Sequence, residues 1–390
     1  MKRLQHGPRL IAATALVTLS LFAGAAAQAG PREQAKRMHD RLAGVPPSPA
    51  VLDQMAAVIG SDPQAAANIA MQAPSFYTAT LKNWITPWTN RDQTAFVPLN
   101  DYTATVIGMI RDGVDFRQVL SGDILYVGGS GLPAYSPTSN ALYEQLENED
   151  RNLGDQSVLV KSTQSEHTGV PAAATAGVMT TRAAAQSFFI AGTNRAMFRF
   201  TLMAHLCKDL EQVMDISLPH DRIRQDVARS PGGDSRVFLN NCSGCHTGMD
   251  PLAQAFAYYN WDDTAGRIVY TPGMVQPKYL QNSDNFKPGY VTKDDGWDNY
   301  WRRGANQLMG WSDSPPRGSG HGAKSMGEEL ANSNQFAQCQ VEKVFKTVCL
   351  RPPVDAADRA RVTAITSDFK ASGYKMKNVF AETAAYCMGD

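Results

Sequence analysis

Apolar residues recur at three- and four-residue spacing over much of the chain, so the pattern predicts helices rather than strands. Pro46-Pro47-Ser48-Pro49 opens a helix from Ala50 to Ile59, and Asp62-Pro63 has the form of an N-cap with proline in the first turn of a second, reaching Met71. Ser75 to Thr86 forms a third, stopped by Pro87, and Tyr102 to Arg111 and Phe116 to Leu120 are two shorter ones. The aromatics Phe76, Tyr77, Trp84 and Trp88 suit core packing. Residues 121–176 are less regular. Their Gly128-Gly129-Ser130-Gly131 run lacks the G-x-G-x-x-G pattern and following Lys-Ser/Thr of a nucleotide loop. Two helices broken near Gly192 return between Thr181 and Leu210, and a further one is expected from Val237 to His246. Asp250-Pro251 ends the motif loop that follows, with helix resuming over Leu252 to Tyr259. Residues 266–324 are loop-rich and carry Trp297, Trp301 and Trp311, in keeping with a flap. Three helices near 334–350, 355–371 and 375–387 close the chain in an up-down-up set. The fold expected is mainly α, a multi-helical body without internal repeats.

Within this pattern Cys242-Ser243-Gly244-Cys245-His246 makes a C-x-x-C-H motif, the spacing for covalent attachment of haem c. Two thiols on one helical turn can each form a thioether to a porphyrin vinyl group, and the adjacent His246 can supply the proximal nitrogen to iron. Half a zinc site and a thioredoxin-like redox pair are the other uses of C-x-x-C. A zinc site ordinarily brings a second ligand pair, and no other C-x-x-C or H-x-x-x-H occurs; a redox pair does not require the histidine. One covalent haem is therefore expected, held by Cys242, Cys245 and His246.

The N-terminus supplies the compartment that haem c needs. Lys2, Arg3 and Arg9 precede an apolar run from Leu10 to Ala27, and Ala27-Gln28-Ala29 fits a signal-peptidase site. Residues 1–29 are thus an expected signal peptide, followed by a periplasmic or otherwise exported chain without a membrane span. With 37 basic and 37 acidic side chains in 390 residues, net charge gives no reason to expect nucleic acid as a partner.

Four of the six cysteines lie outside the motif, which in an oxidising compartment suggests two disulfides. Cys339 and Cys349 would stand about 15 Å apart along one helix, beyond bridging distance. In an up-down-up set the third helix ends beside the end of the first. That geometry predicts Cys349–Cys387 and leaves Cys207–Cys339 to tie the C-terminal helices to the segment before the motif.

Phe238 to His246, with Met249-Asp250-Pro251-Leu252 and Phe256 to Trp261, resembles the cytochrome-like domain of large, mostly uncharacterised planctomycete-type exported proteins. Thr193 to Arg199, running to Leu206-Cys207, is similar to the segment before their haem motif. Glu329-Leu330-Ala331, Phe336 to Cys339 and Lys343-Val344-Phe345 are similar to the helical domain that follows it. The resemblance covers roughly 175–390 and implies a cytochrome c-like haem domain with a loop-rich insert (176–325) and a C-terminal helical domain (326–390), while the helical pattern before it makes 30–175 an N-terminal helical domain. It implies no assigned activity.

The distal ligand stays open. A methionine there raises the potential, a histidine lowers it, and an open site permits ligand chemistry. Candidates are His205 in an apolar helix, Met274 in the loop Pro272-Gly273-Met274, and His167 and His321 in flexible stretches, with Met309 and Met326 as further alternatives. Met249 is too near His246 to reach round the ring. Arg195, Arg199, Arg229 and Arg236 could pair with haem propionates. The function expected is one-electron transfer to or from a periplasmic redox partner protein. Alternatives are a haem enzyme (a peroxidase, oxidase or dehydrogenase subunit) with an open distal site, and a structural or sensory haem module.

Overall fold

A computed structural model of the chain describes residues 29–190, 192–224, 235–280 and 289–389. The expected signal peptide, except Ala29, lies outside the described residues, as does Arg229. The architecture is mainly helical. Helices α1 (Pro31–Ala43), α2 (Pro49–Ile59) and α3 (Pro63–Ala70) each begin with proline in the first turn. Ser48 Oγ accepts from Val51 N at 3.3 Å and Asp62 Oδ1 from Ala65 N at 2.9 Å, satisfying first-turn amides of α2 and α3. The expected helix over Ser75 to Thr86 is a π-helical turn, Phe76–Leu81, that tightens into α4 (Lys82–Ile85) and then a 3-10 turn, Thr86–Thr89. Its aromatics pack as a core group: Trp84 and Phe76 both meet Phe380 edge-on.

Helix α5 (Asp101–Arg111) is buried on every side. Burying its polar start is possible because Asp101 accepts from the Arg182 and Ala183 amides at 2.7 and 3.0 Å, replacing the water it loses. Residues 121–176 hold more structure than their sequence suggests: β1 (Leu125–Gly128), α6 (Ala141–Asn148), β2 (Leu159–Ser162) and α7 (Gln164–Thr168). The two strands pair antiparallel, Leu125 opposite Ser162, and short strands with weak alternation leave little signal.

Then come α8 (Arg182–Phe188), α9 (Arg195–Leu206), α10 (Ser235–Asn241) and α11 (Ser243–Ala253). The motif helix thus differs from the expected Val237–His246 in being broken at Cys242 and in continuing through Pro251. Proline there forfeits one hydrogen bond in the last turn, and Asp250, anchored from two sides, holds the helical conformation that a residue before proline otherwise avoids. Helix does not resume to Tyr259; a 3-10 turn, Gln254–Phe256, leads into β3 (Tyr259–Asp262), paired with β4 (Arg267–Tyr270). The third ladder joins β5 (Gly296–Asp298) to β6 (Ser319–His321). Trp297 and Trp301 are buried in the core rather than set in a flap.

The chain ends with α12 (Gly322–Ala331), α13 (Asn334–Cys349), α14 (Ala356–Ala371) and α15 (Met376–Cys387). Cys349 is bonded to Cys387, and Cys207 to Cys339. Both ends of the described chain meet: Arg37 donates to the Met388 carbonyl at 2.6 Å, and Arg41 to that of Cys387. One apolar cluster runs from Ala35 on α1 to Ala384 on α15. Among the described residues no helix is long and apolar enough to cross a membrane.

Candidate functional site

Helix α11 is positioned by its two glycines. Gly244 and Gly248 are four residues apart and share a face. A Cβ built on Gly244 would lie 2.3 Å from Met214 Cγ, and one on Gly248 2.0 Å from Trp301 Nε1, so both neighbours rest directly on the helix backbone. The 210–217 segment is stitched to this helix by Asp215 N donating to the Gly244 carbonyl and Thr247 Oγ1 to the Asp215 carbonyl, each at 2.9 Å. Cys242, Cys245 and His246, at positions i, i+3 and i+4, then share the face away from Gly244.

On that face Cys242 is half-buried against Ile223 and Phe238. Cys245 is half-buried too, its sulfur 3.6 Å from the Leu210 carbonyl. Both thiols are free, whereas the other four cysteines are in disulfides. Burial, followed by the charges of Glu211 and Asp209, pushes the Cys245 thiol up. An activated redox thiol needs the opposite shift. Among the described residues no set of three His, Cys, Asp or Glu side chains converges as a metal-ligand group. A tetrahedral zinc site would need further ligands beside these thiols. Haem c asks for less from this face: two free thiols and one imidazole nitrogen.

His246 is oriented from both sides. Phe238 meets its ring edge-on with centroids 5.3 Å apart. Its Nδ1 lies 3.1 Å from both carboxylate oxygens of Asp250, one helical turn on. A carboxylate accepts, so Nδ1 carries a proton and Nε2 is the nitrogen that can offer a lone pair to a ligand. No hydrogen-bond partner meets Nε2 among the described residues.

Asp250 is itself fixed. Arg195 Nε donates to Oδ1 at 2.8 Å and Nη2 to Oδ2 at 3.3 Å, while Arg224 Nη2 donates to its main-chain carbonyl at 3.0 Å. Arg224 reaches back to the Thr193 carbonyl at 3.2 Å, tying this corner to the start of α9. Burial alone would raise the Asp250 carboxyl, but Arg195, then His246 and Arg224, outweigh it and hold the carboxyl well below the usual range. This network was only partly legible in the sequence. Asp250 and Arg224 were not singled out as functional; the one available signal was the i, i+4 spacing of His246 and Asp250.

The expected distal ligands lie apart from one another. His205 is buried on α9, its Nε2 2.8 Å from the Tyr102 hydroxyl and its ring beside Trp88, Tyr102 and Phe336. His167 faces Ser162 and Tyr135. His321 is largely exposed and pairs with Asp295. Met274 is exposed in the turn after β4, and Met309 and Met326 are buried in the core. None of these contacts is with Cys242, Cys245 or His246. Of the arginines, Arg195 is committed to Asp250 and Arg199 to Asp209 at 2.6 Å, while Arg236 is exposed on α10.

No protein-family model, no curated protein and no solved structure matches the chain.

Proposed function

We infer that this chain is an exported monohaem c-type cytochrome-like protein, resembling the planctomycete-type cytochrome domains, that passes single electrons to or from a periplasmic partner protein. The observation carrying the reading is the face of α11 that presents two unpaired thiols and an imidazole whose Nε2 meets no partner among the described residues, in a chain whose remaining cysteines are oxidised. Disulfides of this kind persist in oxidising compartments, where haem c is also attached. When bound, haem c would supply a one-electron Fe(III)/Fe(II) couple. Cys242 and Cys245 would anchor it through thioethers. His246 would ligate iron through Nε2, and Asp250 holds the proton on the opposite nitrogen.

A second reading, a haem oxidoreductase with an open distal position, is favoured by one observation: His205, His167, His321 and Met274 make their contacts away from the motif. Optical spectra of the protein produced with a haem c attachment apparatus separate the two. A sharp low-spin reduced spectrum unmoved by carbon monoxide fits a carrier; high-spin bands and ready carbon monoxide binding fit the oxidoreductase. His246→Ala should abolish the native spectrum under both. Absence of a haem c signal from the wild type after alkaline pyridine treatment would overturn the reading.

A further inference from the structure

We propose that Asp250 is a positioning residue for the iron ligand: as a buried carboxylate on His246 Nδ1 it makes Nε2 a strong donor and sets the iron couple to a low potential. The inference rests on the haem reading above. Three features of the site carry it. The acceptor at Nδ1 is an anion, not a neutral carbonyl, and both of its oxygens lie at 3.1 Å. That anion is wholly buried, so water does not screen it. It is also held rigidly, by two bonds from Arg195 to the side chain and one from Arg224 to the main chain. A carboxylate behind a ligating imidazole fixes its tautomer and raises its basicity. A more basic nitrogen favours the more positive metal, so Fe(III) is stabilised over Fe(II).

The arrangement also predicts the role of Arg195. Its guanidinium offsets part of the Asp250 charge, so it limits the donor strength passed to Nε2. The carboxylate and the guanidinium therefore pull the couple in opposite directions, which general loosening of the site would not do.

The test is potentiometric titration of the full-length holoprotein as wild type, Asp250→Asn and Arg195→Gln. Asp250→Asn keeps the shape but replaces the anion with a neutral acceptor. It should favour Fe(II) by about tenfold or more, a rise of about 59 mV for one electron. Arg195→Gln should shift the couple the opposite way. Equal potentials in wild type and Asp250→Asn, or shifts of the same sign in both variants, would overturn the proposal while haem c is still detected. A wild type without haem c overturns the functional reading instead. Where a variant does not load haem, 15N NMR of the reduced low-spin wild type decides: a slowly exchanging proton on His246 Nδ1 supports the pair, and its absence overturns it.

Discussion

At the residue scale, Asp250 shows how a charge becomes tolerable in a core. Burial alone disfavours the ionised carboxyl; Arg195, His246 and Arg224 together reverse that preference. A carboxyl whose pKa is lower folded than unfolded contributes stability above its unfolded value, near 4, and loses it as pH falls through the folded value. The thermal midpoint should therefore hold level from pH 7 to 5 and fall below about pH 4. Asp250→Asn should flatten part of that fall; an identical acid profile in the variant would contradict the assignment. His205 makes the opposite case. Burial, reinforced by Lys343, keeps it well below its ordinary value, so it sits neutral against Tyr102. Replacing it with Phe would leave the buried Tyr102 hydroxyl without this partner, at a cost of about 1–3 kcal/mol by denaturant titration. With haem c bound as proposed, His205→Phe should leave its spectrum unchanged, and a lost low-spin band in that variant would identify His205 as the distal ligand.

At the element scale, α11 is a helix whose two faces do different work. Gly248 accepts the Trp301 indole against its backbone, so Gly248→Ala should destabilise the protein by about 1–3 kcal/mol through overpacking. The control is Gly60→Ala at the end of α2, where φ is −70° and a Cβ meets nothing within 4 Å. That change should be neutral or stabilise by up to about 1 kcal/mol, because alanine restricts the unfolded chain. Equal losses at the two sites would refute close packing on α11. The proline inside this helix marks where local rules mislead. Asp250-Pro251 carries a stop signal, yet the helix continues because Arg195 and Arg224 grip Asp250 from other segments, which one strand of sequence does not display. By contrast, the caps Ser48 and Asp62 act through their own neighbours and were readable directly.

At the scale of the whole molecule, α15 closes on α1, α3 and α13, and one apolar cluster spans the described chain. The disulfides bridge 132 and 38 residues. In the chain-entropy account their loss costs about 5 and about 4 kcal/mol. Chemical denaturation of Cys349→Ser/Cys387→Ser should lower the midpoint and steepen the slope, because the unfolded chain is no longer cross-linked; an unchanged midpoint would mean that packing of α13 on α15 suffices alone.

The sequence by itself determined the helical character, the early caps, the spacing that puts Cys242, Cys245 and His246 on one helix face, and, through helix length, which cysteines could reach one another. Each depends on spacing along a single helix or on groups a few residues apart. Tertiary structure decided what lies behind His246, where Trp297 and Trp301 go, that His205 serves Tyr102, and that α11 runs through its proline. Those outcomes depend on which distant segments share one buried volume. There the cost of an unpaired charge or an unfilled space outweighs local preference.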